Sequence, residues 1–314
     1  MASGKLTTQE MERAVFGPLA AAGMQGAQVG VDCAVLRFGK QVVVASSDPV
    51  TAGGAQAGRL VVQVCCNDAA AAGAKPIGLL LTCLFPADAL IEQIEGLMGQ
   101  AIAEADKLGV PIIGGHTERT GAVVQPVMVG TVLAKPVNKT ISAAGGRPGD
   151  HLFVTKTLGL EGTAILTREK ALAEDMMAQL SVLPEGLIAA CAPGVHALHD
   201  ITEGGVIGAV CEMAASSGCG AILDRAKLPF AIETTAIAAH YAIDPAALIS
   251  SGSMLIATSK PNKLQKALTA AGIAVHKVGR LTEAGETLWA DGTPLVAPVR
   301  DALYDALEQA SRES

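Results

Sequence analysis

The amino-acid sequence predicts an α/β (α+β) protein of two domains. Helical and strand-like patterns are mixed along both halves of the 314-residue chain, which is typical of sheets covered by helices. Half of the residues are apolar, so each half can bury a core of its own. The turn-rich stretch 143–150 marks the predicted boundary, with one domain over 1–147 and a second over 148–314.

Composition limits the classes of function. The net charge is −7 and aromatic residues make up only 3%, whereas nucleic-acid surfaces need basic patches and stacking rings. No run of about 20 uncharged apolar residues occurs, so no membrane span is expected. The seven cysteines form no C-x-x-C pair. Reduced thiols and the lack of an apolar leader favour a cytoplasmic protein.

Periodicity assigns the main elements of the first half. Apolar residues at helical spacing predict a helix over 88–108 that Gly109 ends. Alternating or continuous apolar runs predict strands, over 34–38, 41–46, 77–84, 110–113 and 123–133. The predicted strand over 110–113 stops at the glycine pair Gly114-Gly115.

The second half combines strands and helices in the same way. Strands are predicted over 152–155, 254–258 and 273–278, and helices over 159–168 and 261–271. The segment 199–205 precedes a further helical pattern, with Thr202 as the predicted N-cap. A helix start with two glycines presents free backbone N–H groups, which suits a phosphate or a developing oxyanion. A capped core helix with a tight entry turn explains the same residues.

Three aspartates of the first half are candidate metal ligands. Hard cations such as Mg²⁺ take oxygen ligands and share them with phosphates, so Asp32, Asp48 and Asp68 suit such a site if the fold brings them together. A turn or cap explains each aspartate singly, and a helix N-cap is the simplest explanation of Asp68. His116 follows the glycine pair and has three interpretations: a ligand, an acid–base group or a structural histidine. The structural interpretation is favoured, because no second His or Cys stands at ligand spacing.

Seven short motifs, in one order, resemble the superfamily that contains aminoimidazole ribonucleotide synthetase, thiamine-monophosphate kinase, selenophosphate synthetase and the hydrogenase maturation factor HypE. The resemblance runs from about residue 12 to residue 283. The motifs are G-V-D-C-A-V at 30–35, S-S-D at 46–48, N-D at 67–68, G-G-H-T-E at 114–118, G-D at 149–150, H-D-I-T-E-G-G at 199–205 and S-G-S-M-L-I at 251–256. Each motif alone carries little information, but their shared order is specific.

The resemblance implies a PurM-like subunit with an N-terminal domain (1–147) for ATP, Mg²⁺ and homodimer contacts, and a C-terminal α/β domain (148–314). It implies metal and phosphate ligands at Asp32, Asp48 and Asp68. It implies nucleotide contacts at Asn67, a phosphate floor at Gly114, Gly115 and Thr117, and an acceptor side at Asp200, Thr202, Gly204 and Gly205. Carried over in this way, the catalytic residues are Asp68, His116 and Asp200.

The implied function is ATP-dependent phosphorylation of an oxygen on an acceptor, by an enzyme closest to a HypE-like protein of hydrogenase maturation. The acceptor is a small molecule or a protein. The sequence departs from the family where Val31 replaces the first of two acids and where His116 replaces the frequent Asp or Glu. It also ends without the cysteine on which HypE carries its substrate, and its first cysteine, Cys33, lies within the acid motif. Two alternatives remain, a nucleotide-binding assembly or regulatory protein without catalysis, and a thiamine-monophosphate kinase.

Overall fold

A computed structural model describes residue 6 and residues 8–24, 33–51 and 53–313. Contacts divide the chain into two compact units. We call Asp32–Thr140 the N-terminal unit, and we call Met1–Val31 together with Ile141–Ser314 the C-terminal unit. The boundary that the sequence predicts, at 147/148, lies a short way beyond Thr140.

The first 140 residues contain both helices and strands. Two short helices, α1 (Thr8–Met11) and α2 (Gly17–Ala21), flank a π-helical turn. The N-terminal unit follows with β1 (Ala34–Phe38), β2 (Gln41–Val50), α3 (Ala57–Ala71), β3 (Ala74–Pro86), α4 (Ile91–Leu108), β4 (Ile112–Thr120) and β5 (Val127–Pro136). The predicted strands over 34–38, 41–46 and 77–84 and the predicted helix over 88–108 are confirmed, with shifted ends.

One mixed sheet organises the described part of the N-terminal unit. Its strand order is β1-β2-β5-β3-β4. All neighbours are antiparallel except β3 and β4, which are parallel. The helix α3 packs on one face of this sheet and α4 packs beside α3, so that face forms the core of the unit.

The prediction that a short strand ends before Gly114-Gly115 is wrong. The strand β4 runs through the glycine pair to Thr120 and pairs with β3 along this length. A Cβ on Gly115 would overlap the main-chain carbonyl of Leu81. The glycines therefore allow close pairing of two strands, whereas the sequence pattern suggests only a chain break.

The interpretation of Asp68 as a helix N-cap is also wrong. Asp68 lies in the last turn of α3, whose 15 residues include the apolar run before it. That run is rich in β-branched residues, but the helix is buried nearly all round between the sheet and α4, so packing outweighs local propensity. The Asp68 carboxylate is thus placed by a helix that ends near it.

The C-terminal unit contains a second sheet and its helices. Its first elements are β6 (His151–Thr155), α5 (Leu160–Leu166), α6 (Lys170–Met177), α7 (Leu183–Cys191), β7 (Val195–Ile201), α8 (Gly205–Ser216) and β8 (Gly220–Leu223). The chain continues with α9 (Ile232–His240), β9 (Ser253–Thr258), α10 (Pro261–Ala270), β10 (Val275–Thr282), β11 (Thr287–Trp289) and α11 (Ala302–Glu313). The strand order in the described residues is β11-β8-β10-β6-β9-β7.

Among the described residues, at least two apolar clusters stabilise the C-terminal unit. The predicted apolar face of α8, including Val206, Val210 and Met213, is buried against the sheet, which confirms the helical periodicity. A second cluster joins α5, α9 and α11, with Leu303 and Ala306 of α11 buried in it. The helix α11 is therefore an integral part of the packed unit.

The predicted N-cap of α8 at Thr202 is corrected by the structure. The helix begins at Gly205, and Gly204 is the N-cap with φ 82°. The Thr202 carbonyl instead accepts hydrogen bonds from the backbone N–H groups of Gly205 at 3.1 Å and Ser250 at 3.3 Å. A sharp glycine turn thus replaces the side-chain cap.

Among the described residues, no helix combines the length and apolar character that a membrane span needs.

The close approach of α3 to the sheet depends on Gly130 of β5. A Cβ at this position would lie 2.5 Å from Cys65 Sγ and 3.1 Å from Val61 Cγ2, both on α3. Real side-chain carbon atoms do not approach sulfur so closely, so any larger residue must push the helix outward. Gly130 pairs with Asp48 across the β2–β5 ladder, which places this contact beside the acidic residues.

Gly130→Val should lower the free energy of unfolding by about 1–3 kcal/mol, because overpacking forces α3 away from β5. Gly96→Ala is the matched control. Gly96 is in the middle of α4, where an added Cβ meets open space, so alanine should stabilise the protein by about 0.5–1 kcal/mol. Urea denaturation followed by circular dichroism measures both; equal midpoints for Gly130→Val and wild type would contradict the packing argument.

Candidate functional site

Two acidic residues of the N-terminal unit line one cavity. Asp48 on β2 and Asp68 on α3 both border a cavity of about 400 Å³, which we call the two-acid cavity. The Ser46 hydroxyl donates to Asp68 Oδ2 at 2.5 Å and joins the strand to the helix. Because side chains alternate along a strand, Ser46 and Asp48 share the face on which α3 packs. Asn67 is buried beside Asp68, with 1% exposure.

The chemistry of the two-acid cavity suits a hard cation. As far as the structure describes the chain, its lining holds no Lys or Arg and consists of Ala34, Ala45, Ser46, Ser47, Asp48, Asp68 and Thr131. Burial, reinforced by the Asp68 carboxylate, raises the pKa of the Cys66 thiol to about 12 and also raises that of Cys65. Neither thiol lines the cavity, and the side chains that do line it offer only oxygen donors, which is the set that Mg²⁺ prefers.

Asp32, the third predicted metal ligand, lies outside the described residues, as do Gly30 and Val31. Cys33 follows it in the sequence, and its thiol donates to the main-chain carbonyl of Asp68 at 3.2 Å. In the part of the chain that the structure describes, no three His, Cys, Asp or Glu side chains form a metal-binding group. A three-aspartate metal site therefore stays a prediction.

The predicted residues 114–117 lie within β4. The His116 imidazole is exposed, with 63% of its side chain accessible, and its Nε2 lies 3.2 Å from Glu118 Oε2. The strand registers place it on the face of the sheet opposite α3. Thr117 points the other way, and its hydroxyl hydrogen-bonds the Cys83 thiol. The structure thus does not bring His116 to the face that carries the two acids.

Four further predicted residues lie where β7 meets α8 in the C-terminal unit. Asp200 is the penultimate residue of β7 and is 3% exposed. The following residues 202–205, which we call the glycine loop, turn sharply through positive φ angles of 82° at Gly204 and 60° at Gly205. A Cβ on Gly205 would overlap the main-chain carbonyl of Ala246. The glycine loop therefore packs directly on another stretch of main chain.

Asp301 ties the glycine loop to two other segments, and the sequence interpretation missed it. Its Oδ2 accepts from Gly204 N–H at 2.6 Å, while its Oδ1 accepts from Ile249 N–H at 3.1 Å and Leu303 N–H at 2.8 Å. An aspartate directly before an amphipathic helix is a signal for the cap on Leu303. The other two bonds span 97 and 52 residues, so no local pattern could reveal them.

Glu161, in the first turn of α5, is a second buried carboxyl that the sequence interpretation missed. It is 8% exposed. In the described residues its Oε2 accepts no hydrogen bond. Burial raises the pKa of Glu161 above its ordinary value; hydrogen bonds from Ser251 oppose this shift, and nearby Asp301 and Glu203 reinforce it. Folding therefore shifts this carboxyl towards its protonated form, relative to the unfolded chain.

The two halves of the chain match the two domains of one protein family. Residues 30–135 match the N-terminal domain of AIR synthase related protein, and residues 147–290 match its C-terminal domain. The chain therefore belongs to the AIR synthase-related family and is HypE-like within the PurM superfamily.

Curated relatives agree with this assignment. Carbamoyl dehydratase HypE of Escherichia coli (strain K12) is 30% identical over 240 residues, which are 74% of this chain and 70% of that protein. HypE of Cupriavidus necator is 30% identical over 212 residues, or 64% of this chain and 60% of that protein. Selenide, water dikinase of Myxococcus xanthus is 29% identical over 250 residues, or 75% and 70%. The match spans less than two thirds of the Cupriavidus necator protein.

Solved structures share the fold. E. coli HypE, a hydrogenase maturation protein, matches with a TM-score of 0.76 and 23% identity, over 96% of this chain and 100% of that chain. AaThiL complexed with AMPPCP and TMP matches with a TM-score of 0.77 and 18% identity, over 95% and 99%. HypE in complex with ATP matches with a TM-score of 0.74 and 19% identity, over 96% and 98%. The predicted two-domain PurM-like α/β fold is thereby confirmed.

Glu161→Gln should make the protein progressively more stable than wild type as the pH rises. The raised pKa means that the folded state holds the Glu161 proton more tightly than the unfolded state, so wild type loses stability above pH 4.5, the ordinary glutamate pKa, as this carboxyl ionises. Glutamine never ionises. Urea unfolding of both proteins between about pH 4.5 and pH 8 measures the difference.

The exposed Glu174→Gln serves as the matched control and should show a constant difference from wild type. A pH-independent difference for Glu161→Gln would mean that its pKa is the same in the folded and unfolded states, and would contradict the raised value.

Proposed function

We propose that this chain is an ATP-dependent enzyme that phosphorylates, and thereby activates, an oxygen atom of an acceptor with the help of Mg²⁺. The observation that carries the proposal is the convergence of Asp48 and Asp68 on one cavity with only oxygen donors. Two carboxylates without a cationic side chain in the described lining create a negative potential that a divalent cation offsets.

The names of the relatives support nucleotide chemistry. They include a carbamoyl dehydratase and a selenide, water dikinase. Among the similar structures, one HypE is in complex with ATP and AaThiL is complexed with AMPPCP and TMP. An enzyme that moves a phosphoryl group relies on positioning and on charge neutralisation, and both demands fit two carboxylates that a strand and a helix hold at one cavity.

The proposed roles follow the family pattern. Asp32, Asp48 and Asp68 would hold the metal and the phosphates, and Asn67 would contact the nucleotide. A bound Mg²⁺ would neutralise phosphate charge in this site. On β4, the main chain at Gly114 and Gly115 and the Thr117 hydroxyl would shape the phosphate floor. The exposed His116 would act from the opposite sheet face only with residues from elsewhere.

In the C-terminal unit, we assign the acceptor side to Asp200 and to the glycine loop with Thr202, Gly204 and Gly205. The N–H groups of Gly204 and Gly205 already donate to Asp301 and to the Thr202 carbonyl, so the glycine loop would shape the acceptor side through its main-chain conformation. The acceptor is a small molecule or a protein; a HypE–HypF complex, similar in fold with a TM-score of 0.76 and 19% identity over 91% of this chain and 100% of that chain, supports a protein partner. All seven cysteines lie in the described part of the chain and none forms a disulfide there, which supports a cytoplasmic location.

A nucleotide-binding protein without turnover is the second candidate function. Val31 favours it, because the family pattern has an acid at that position and a metal ligand would be missing. The two candidates differ in one observable, the release of ADP and phosphate from bound MgATP. Val31→Asp should increase this release if the site is a degenerate catalytic one.

Asp68→Asn should weaken MgATP binding at least about tenfold, because the amide removes the negative charge of one proposed metal ligand. Isothermal titration calorimetry of MgATP into both proteins measures this loss. Asp106→Asn is the matched control: it makes the same charge change on the exposed face of α4 in the same unit, and its affinity should equal that of wild type. Equal affinities for all three proteins would place the nucleotide elsewhere, and no binding to wild type would refute the proposal.

We also propose that the N-terminal unit forms a homodimer through the sheet face opposite α3. Large apolar side chains on this face are exposed, and they include Leu36, Phe38, Leu80 and Ile113, with exposures of 42%, 64%, 37% and 54%. Monomers rarely expose contiguous apolar patches of this kind, so the face is suited to bury a partner. A second copy of the chain is the partner that the family resemblance implies.

Leu80→Lys should convert the dimer to a monomer, because the change places a charge in the apolar interface. Size-exclusion chromatography with light scattering at several protein concentrations measures the mass. Ile102→Lys is the control, since Ile102 is 57% exposed but lies on α4, away from that face. A monomeric wild type, or a dimer that survives Leu80→Lys and not Ile102→Lys, would refute this interface.

A further inference from the structure

Asp301 occupies an unusual position, because a single carboxylate serves three elements that are far apart in sequence. It accepts backbone hydrogen bonds from Gly204 before α8, Ile249 before β9 and Leu303 in the first turn of α11. It is 3% exposed. It lies beyond residue 290, where the match to the family's C-terminal domain ends.

The two carboxylate oxygens of Asp301 accept hydrogen bonds from different segments. Oδ1 accepts from both Ile249 and Leu303, whereas Oδ2 accepts from Gly204 at 2.6 Å. The Gly204 bond is the shortest of the three and joins a carboxylate to a backbone N–H, which is a strong class of hydrogen bond. Oδ2 therefore acts on the glycine loop, while Oδ1 secures the two flanking segments.

The glycine loop needs such an external tether. Gly204 is the N-cap of α8 and has φ 82°. As a glycine it has no side chain that could hydrogen-bond to the first turn of the helix. Glycine loses more conformational freedom than any other residue when its backbone is fixed. Two successive glycines therefore favour a mobile turn unless other contacts hold them. Pro298 packs against Gly204 from the same C-terminal segment, at 3.3 Å from the position of a Cβ. The segment around residue 300 therefore covers and holds the turn.

A structural cap for α11 alone does not account for this arrangement. A cap needs the bond to Leu303, and a serine or asparagine would provide it. The buried carboxylate is costly here, because Glu203 and Glu161 are close enough to repel it and desolvation disfavours its charge. Only a carboxylate, which has two acceptor oxygens, can accept from the N–H groups of Gly204, Ile249 and Leu303 at once.

We propose that Asp301 is a positioning residue that fixes the glycine loop, through Gly204 N–H, in the conformation needed on the acceptor side of the site. The consequence for turnover rests on the proposed function. The consequence for loop order does not, because it follows from the hydrogen bonds alone.

Asp301→Asn tests the Oδ2 tether selectively. The amide oxygen can keep the bonds to Ile249 and Leu303, and the NH₂ group then faces Gly204 N–H as a second donor. The flipped amide is disfavoured, because it would keep the bond from Gly204 but lose those from Ile249 and Leu303. Asp305→Asn, which makes the same charge change at an exposed position of α11, is the matched control.

The first readout is hydrogen exchange of the individual backbone amides. Gly204 N–H should exchange at least about tenfold faster in Asp301→Asn than in wild type, since a bond to a charged acceptor is lost. Leu303 N–H, and every amide of Asp305→Asn, should stay within about twofold of wild type. This pattern separates a local release of the loop from general destabilisation.

The second readout uses MgATP with water as the acceptor. Asp301→Asn should keep the MgATP affinity within about twofold and should lower the rate of phosphate release about tenfold, as expected when positioning is lost. Unchanged phosphate release together with faster Gly204 exchange would overturn the positioning role and leave a structural one.

Unchanged Gly204 exchange in Asp301→Asn would overturn the tether itself. If this variant does not fold, hydrogen exchange of the wild-type protein still tests the tether, because an unprotected Gly204 amide in wild type excludes the bond to Asp301. If wild type binds no MgATP, the proposed function fails, but hydrogen exchange at the Gly204 amide still tests the hydrogen bond to Asp301.

Discussion

The packing of α3 on β5 at Gly130 is the contact on which the candidate site depends. A glycine in the strand lets the helix approach so closely that Cys65 Sγ lies 2.5 Å from where a Cβ would be. Protein interiors tolerate little change in such a contact, because they are packed to crystal-like density. The same contact sets the distance between β2 and the end of α3, and therefore brings the Ser46 hydroxyl to Asp68.

Aspartate has two different roles in the two units, and the surroundings decide which. In the N-terminal unit, Asp48 and Asp68 face a cavity without a described cationic side chain, and this is the setting of the proposed cation site. In the C-terminal unit, Asp301 is enclosed and receives three backbone N–H groups. Backbone donors satisfy a buried carboxylate without a countercharge. The first arrangement suits binding and the second suits structural precision.

Periodicity predicted the longer elements because burial of one face leaves a regular pattern in the sequence. The helix over 88–108 and the strands over 34–38, 41–46 and 77–84 followed from it. Glycine was the main source of error. At Gly115 it allows two strands to pair closely, and at Gly204 it replaces a side-chain cap, yet in sequence both resemble chain breaks. Asp68 was misjudged because its helix is buried on nearly every side.

The sequence by itself determined the two-domain α/β class, the family and the residue types available for chemistry, because these are recorded in local patterns and ordered motifs. The tertiary structure decided which of those residues meet. It joined Asp48 to Asp68 across the helix–sheet contact, set His116 on the other face of the sheet, and recruited Asp301 to a loop 97 residues away. These pairings depend on strand register and helix packing, which arise between distant segments and leave no mark in any single stretch of sequence.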